Sequence, residues 1–128
     1  MSTVLLVEDE LLVRELAGED LTDIGFEVTS ASDGEEALSH IEQGHSFDLL
    51  FTDIRMPGTV DGWQLADRAK AMLPGLRIIY ATGLNEAADR LTERERYVRK
   101  PYSLKDLRQA LIDLGLMDSE GALTSQSA

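Results

Sequence analysis

Residues 3–10 read Thr-Val-Leu-Leu-Val-Glu-Asp-Glu, and residues 47–53 read Phe-Asp-Leu-Leu-Phe-Thr-Asp. Each is a short apolar run that ends in acid. Runs this short, rich in β-branched and aromatic residues, read as strands covered on both faces. Val4–Val7 and Phe47–Phe51 are the strongest; Ile78–Ala81 and Tyr97–Val98 carry the same pattern, and Val28 a weaker one. Between them apolar residues recur at helical spacing. Val13, Leu16, Ala17, Leu21 and Ile24 form one stripe ended by Gly25; Ala37, Leu38 and Ile41 form another ended by Gly44. Leu65, Ala66, Ala69, Met72 and Leu73 run up to Pro74-Gly75, and Leu104, Leu107, Leu111 and Leu114 form the clearest stripe. Ser103 is placed to cap that last helix, with Asp106 three residues on. Strand–helix alternation predicts an α/β fold: a doubly wound parallel sheet with helices on both faces. Right-handed crossovers then bring every strand's C-terminal end to one edge, where open sheets of this kind bind ligands.

At 128 residues the chain is long enough for one core. The domain is expected over residues 1–116, with a polar, disordered tail over 117–128. No cysteine is present, which excludes disulfides, thiolate zinc sites and a thiol nucleophile. Neither a secretory leader nor an apolar run of membrane-spanning length is visible, so the expected location is cytoplasmic, with no membrane partner. A net charge of -12 argues against direct DNA binding, which needs a basic footprint. Arg90, Arg94, Arg96, Arg99 and Lys100 are interleaved with Glu93 and Glu95, and read as a solvated face laced with ion pairs. His40 and His45 fall in a helix and a turn, away from the strand ends, and are expected at the surface. Trp63 is expected as a half-buried anchor near the acidic strand ends.

Glu8, Asp9, Asp53, Thr82 and Lys100 all fall at or just past strand C-termini. Carboxylates crowded together need a counter-charge to stay ionised. A ligand set of oxygen atoms alone favours a hard cation, Mg²⁺ before Ca²⁺ or Zn²⁺. Phosphoryl transfer is mainly positioning and charge neutralisation, and this set suits it. Asp53 is the nucleophile that would form an acyl phosphate, Lys100 would take up negative charge, and Thr82 is placed to donate its hydroxyl.

The stretches V-L-L-V-E-D-E, D-L-L-F-T-D-I-R-M-P-G, Y-A-T-G and R-K-P-Y, in this order and spacing, resemble the receiver domains of bacterial two-component response regulators over residues 3–115. The resemblance implies a five-stranded, flavodoxin-like (CheY-like) sheet of order 2-1-3-4-5. It implies that Asp53 accepts a phosphoryl group from a phosphohistidine on a sensor histidine kinase or a phosphotransfer protein. Glu8, Asp9 and Asp53, with the backbone carbonyl of Arg55, match the family's Mg²⁺ ligands. Thr82 matches the switch hydroxyl, Lys100 the phosphate-binding lysine and Tyr97 the aromatic switch residue; the Lys100–Pro101 bond is expected to be cis. Such a protein acts only on its own phosphorylation and signals to a downstream protein target, in some cases as a weak homodimer.

The sequence departs from the family pattern in two places. The loop Met56-Pro57-Gly58-Thr59-Val60-Asp61-Gly62 is one residue longer than the common form. The segment from Leu84 to Arg96 is shorter and charged, and implies at most a short fourth helix there. Leu84 and Arg55 flank the phosphate position and are expected to tune the acyl phosphate's lifetime. Three alternatives stand beside the free-standing switch: a receiver excised from a hybrid histidine kinase, a module that binds partners without phosphorylation, and an Asp-nucleophile phosphatase. The phosphatase needs a second acid two residues after the nucleophile, where Arg55 stands here. A flavodoxin shares the sheet but needs a phosphate loop where Glu8-Asp9-Glu10 would repel the ligand.

Overall fold

The computed structural model describes residues 2–83 and 91–124. Its elements are β1 (Thr3–Val7), α1 (Leu11–Ile24), β2 (Glu27–Ala31), α2 (Gly34–Glu42), β3 (Leu49–Asp53), α3 (Gly62–Met72), β4 (Arg77–Thr82), β5 (Glu95–Arg99) and α4 (Leu104–Asp113). The five strands are all parallel and lie in the order β2-β1-β3-β4-β5. This is the doubly wound arrangement that the alternation predicts.

Side-chain alternation on the buried strands divides the core in two. Leu5, Val7, Leu50, Ile78 and Tyr80 face α2 and α3, meeting Ala37, Ile41, Leu65 and Ala69. Val4, Leu6, Phe51, Ile79 and Val98 face α1 and α4, meeting Ala17, Leu21, Leu107 and Leu111. Helix starts follow the capping rules. Asp33 accepts from Glu36 N–H, and both Asp61 and Ser103 form reciprocal capping boxes, with Gln64 and Asp106.

Strand boundaries differ modestly from those expected. β3 runs over Leu49–Asp53, and just before it the Asp48 side chain accepts the Thr3 N–H at 2.9 Å. β5 begins two residues before Tyr97, at Glu95, whose side chain is anchored in the interior. The expected short helix between 84 and 96 falls largely on 84–90, outside the described residues; residues 91–94 lead through a turn into β5.

The disorder expected from residue 117 gives way to a folded turn. Leu116 and Met117 are buried, Met117 and Leu123 form an antiparallel bridge, and Thr124 N–H donates to the Leu116 carbonyl at 2.9 Å. Asp118 Oδ1 closes the turn by accepting from the N–H groups of Glu120 and Ala122. A few apolar anchors, Leu116, Met117 and Leu123, pack on the α1/α4 side of the core and outweigh the polar average of the segment. Residues 125–128 lie outside the described residues.

At the N-terminal end of β5, Glu95 is 1% exposed and still well satisfied. Its carboxylate accepts from Tyr80 Oη at 2.6 Å, Thr92 Oγ1 at 2.6 Å and Lys70 Nζ at 3.2 Å, tying α3, β4 and β5 together. Burial alone would raise this carboxyl; the three hydrogen bonds and the Lys70 charge outweigh it and hold it below 4.5. A depressed carboxyl stabilises the fold above its unfolded value, and that contribution is lost as pH falls through the folded value. Glu95→Ala, which removes the buried acceptor shared by Tyr80, Thr92 and Lys70, is expected to cost about 2–3 kcal/mol in urea unfolding at neutral pH. The gap between variant and wild type should close on acidification below the ordinary carboxylate range.

Candidate functional site

The sheet order reverses between β1 and β3, since β2 lies on one side of β1 and the remaining strands on the other. Val7 pairs with Thr52, and Asp53 with Ala81. This register sets Glu8 beside Asp53 and places Thr82 at the end of the neighbouring strand. Glu8, Asp9 and Asp53 each offer a carboxylate oxygen within 4.8 Å of the others, the one such acid cluster found among the described residues.

Glu8 is 4% exposed and fully engaged. Its Oε1 accepts from Lys100 Nζ at 2.7 Å, and its Oε2 accepts the Glu10 N–H at 3.0 Å. The same ammonium donates to Asp53 Oδ2 at 3.0 Å, so Lys100 bridges two carboxylates from two strands. The Lys100 backbone is held independently, its N–H donating to the Thr82 carbonyl at 2.8 Å, and the Lys100–Pro101 peptide is cis. Thr82 is buried at the end of β4. Tyr97 pairs with Tyr80 across β4 and β5 and is half-buried against the α2/α3 side of the core, away from the acid cluster. Arg55 is exposed, on the loop that follows Asp53.

Burial dominates the electrostatics. It pushes Asp53 above its ordinary value against the opposing pull of Lys100, and the Glu8 charge adds to the rise. Asp9 is also raised, by burial and then by Glu8 and Asp53. For Glu8 the Lys100 ammonium and the Glu10 N–H overcome burial and lower it. Lys100 is raised, because its two carboxylate partners outweigh its own desolvation. The pocket therefore carries excess negative charge that one lysine does not cancel. Its donors are all oxygen, which fits a hard divalent cation.

Sequence reasoning passed over several supporting residues. Arg14 Nη1 donates to the Glu8 carbonyl at 2.7 Å and so pins the turn that aims the acids. Thr52, fully buried, donates to the Asp53 carbonyl at 2.8 Å. Gly62 sits so close beneath the site that a Cβ there would lie 2.3 Å from the Asp53 carbonyl oxygen, so no other residue fits. Asp61-Gly62 was visible in the sequence, but this approach of backbone to backbone carries no sequence signal of its own. Trp63 packs on Tyr80 with ring centroids 4.5 Å apart, the half-buried anchor expected of it. His45 is exposed and stacks on His40, whose partly covered ring has Nδ1 buried; neither reaches the acids.

The response regulator receiver domain model matches residues 4–112, and the chain belongs to that family. A probable transcriptional regulator, ycf27, of Cyanophora paradoxa is 37% identical over 117 residues, covering 87% of this chain and 47% of that protein. The chain thus spans about half the length of that relative. The response regulator receiver protein CpdR of Brucella abortus is 35% identical over 112 residues, covering 84% of this chain and 91% of CpdR. The crystal structure of response regulator TrrA from Thermotoga maritima, in complex with Mg²⁺-BeF, superposes with a TM-score of 0.78 at 32% identity, covering 89% of this chain and 99% of that one.

Because Asp9 is disfavoured as an anion in the metal-free fold, neutralising it should stabilise that state. The folded chain binds this proton more tightly than the unfolded chain, so this group's contribution falls as pH rises through the window above 3.8. Asp9→Asn is therefore expected to raise Tm in EDTA at neutral pH, which differential scanning calorimetry reads.

Proposed function

We propose that this domain is a phospho-accepting signalling switch in which Asp53 is the acceptor. The observation that carries the reading is the single Lys100 ammonium shared between Glu8 and Asp53 beside three convergent carboxylates. Glu8, Asp9, Asp53 and the Arg55 carbonyl would hold Mg²⁺, as the receiver family does at its acidic pocket. Bound there, the ion supplies neutralisation of the carboxylates and of the phosphoryl oxygens. An Asp53 carboxylate oxygen forms the new P–O bond as the P–N bond of a phosphohistidine breaks. The bonding pair stays on the imidazole nitrogen, which then takes up a proton. Lys100, already within 3.0 Å of Asp53 Oδ2, receives the charge of the transferred group. Thr82 donates its hydroxyl to a phosphoryl oxygen, and Tyr97 reports the change on the β5 side. The domain turns over nothing but its own phosphoryl group.

The complex of the Thermotoga relative with Mg²⁺-BeF supports this reading, as an ion and a phosphoryl-like group are accommodated by the same fold. The donor is a sensor histidine kinase or a phosphotransfer protein, and the output is contact with another protein. The net charge of -12 gives the domain no basic footprint for DNA.

Incubation with acetyl phosphate and Mg²⁺ should add one phosphoryl group to wild type by intact mass and none to Asp53→Asn. A folded, Mg²⁺-binding wild type that gains nothing would sink the proposal.

A protein donor must also dock, and α1 offers the surface. Leu11, Leu12 and Leu16 are 57%, 74% and 63% exposed beside a groove of about 420 Å³ lined by Val13, Pro101 and Tyr102. Leu12→Glu combined with Leu16→Glu should slow transfer from a phosphohistidine protein at least tenfold, on the order expected for losing two interface anchors. Labelling by acetyl phosphate, followed by phosphate-affinity electrophoresis, should be unchanged.

A further inference from the structure

The apolar stripe of α1 contains one acid. Val13, Leu16, Ala17 and Asp20 follow one another at helical spacing, so their side chains share a face of the helix. Together with Lys100, Pro101 and Tyr102 they line the groove of about 420 Å³ described above. Leu16 is exposed there, while Asp20 is half-buried. Tyr102 lines the groove from the loop that follows β5, its ring set edge-on to Phe51 with centroids 5.8 Å apart. Asp20 thus stands as a carboxylate in a largely apolar cleft.

It has no counter-charge. Among the described residues the Asp20 side chain takes part in no ion pair and no hydrogen bond. The cation of the groove, Lys100, is already engaged by Glu8 and Asp53. Arg14, the one base on α1, donates to the Glu8 carbonyl, and no lysine or arginine follows it until Arg55. The charge is nevertheless felt across the groove: burial first, and then Asp20, push the Tyr102 phenol up to about 12. In the free domain water screens the carboxylate. A protein that closes over Leu16 and Tyr102 expels that water, and a carboxylate so covered is strongly disfavoured unless a cation meets it. An unpaired charge of this kind discriminates between partners, because it penalises those that bring no complement.

We propose that Asp20 is a specificity determinant for the phosphohistidine donor: it selects a donor that sets a lysine or arginine beside its phosphohistidine. This rests on the reading of Asp53 as the acceptor and of α1 as the docking surface, and adds the charge that the partner must carry. Asp20 lies outside the acid cluster of Glu8, Asp9 and Asp53, so it acts on recognition and not on transfer itself. An unpaired acid within an apolar stripe also does nothing for the free domain. The replacement that weakens recognition should therefore leave the fold as stable as before, or more so.

The test uses the whole chain as wild type, Asp20→Ala, Asp20→Asn and Asp20→Lys. The probes are isolated dimerisation-and-phosphotransfer domains of histidine kinases, labelled on histidine. For the donor that transfers fastest to wild type, each lysine and arginine flanking the phosphohistidine is replaced in turn by glutamate. Asp20→Ala and Asp20→Asn should raise the donor concentration for half-maximal transfer about tenfold, the order expected for losing one interface charge pair, and leave the maximal rate unchanged. The wild-type rate should also fall more steeply with added NaCl than that of Asp20→Asn. One glutamate replacement in the donor should cost wild type a similar factor, and Asp20→Lys should restore transfer from that altered donor. Labelling by acetyl phosphate should be the same in all four chains, and the urea midpoint no lower in Asp20→Ala or Asp20→Asn. Donor rates that ignore Asp20, while acetyl phosphate labels every chain, would overturn this inference alone. A loss of donor transfer matched by an equal loss of acetyl phosphate labelling and a lower urea midpoint would make Asp20 structural. If instead the chain by itself forms a dimer in sedimentation that Leu16→Glu dissolves, a second copy fills the groove and the inference fails. A wild type that acetyl phosphate does not label defeats the acceptor reading, and this inference with it.

Discussion

One ammonium group, Lys100 Nζ, holds the working edge of this protein together. It lies 2.7 Å from Glu8 and 3.0 Å from Asp53, joining residues 92 and 47 positions apart in the chain. Glu8 is too buried to keep its charge cheaply without that partner, and Lys100 would be equally disfavoured alone. Each group therefore makes the other affordable where neither would otherwise sit. The charge that remains, on Asp9 and Asp53, makes the pocket a candidate cation site.

The pair also fixes the far edge of the sheet. Among the described residues β5 lies at the end of the strand order, with β4 as its partner. It is tied at both ends by charge: Glu95 to Lys70, Tyr80 and Thr92 at its start, and Lys100 to Glu8 and Asp53 just past its finish. Between these ties stands Tyr97, packed beside Tyr80, which in turn contacts Trp63 at the start of α3. β5 is thus held by charged hydrogen bonds at both ends.

The legible features were those in which chemistry and local period coincide. Val4–Val7 could hardly be other than a covered strand, and an acid or lysine closing each such run had to arrive at one sheet edge. Ser103 with Asp106 announced the last helix in the same local way. The misses were non-local. Glu95 looked like one charge among many in a basic stretch, yet it is buried because Tyr80 and Lys70, from other elements, meet it. The segment after Leu116 looked like a tail on average composition, while Met117 and Leu123 fold it onto the core. Arg14 gave no sign that it would hold the Glu8 carbonyl.

By itself, the sequence determined which residues have the chemistry and which edge of the sheet receives them, since strand period and crossover hand are local or nearly universal rules. Tertiary structure alone decided which charges are paired, which are buried and how the loops are tethered. Lys100 chooses Glu8 and Asp53, and Glu35 reaches Thr59 and Val60, only because β1, β3 and α2 have already been packed at set distances. Ion pairs and hydrogen bonds depend on ångström-scale separation and on exclusion of water, and neither quantity exists until the chain has folded.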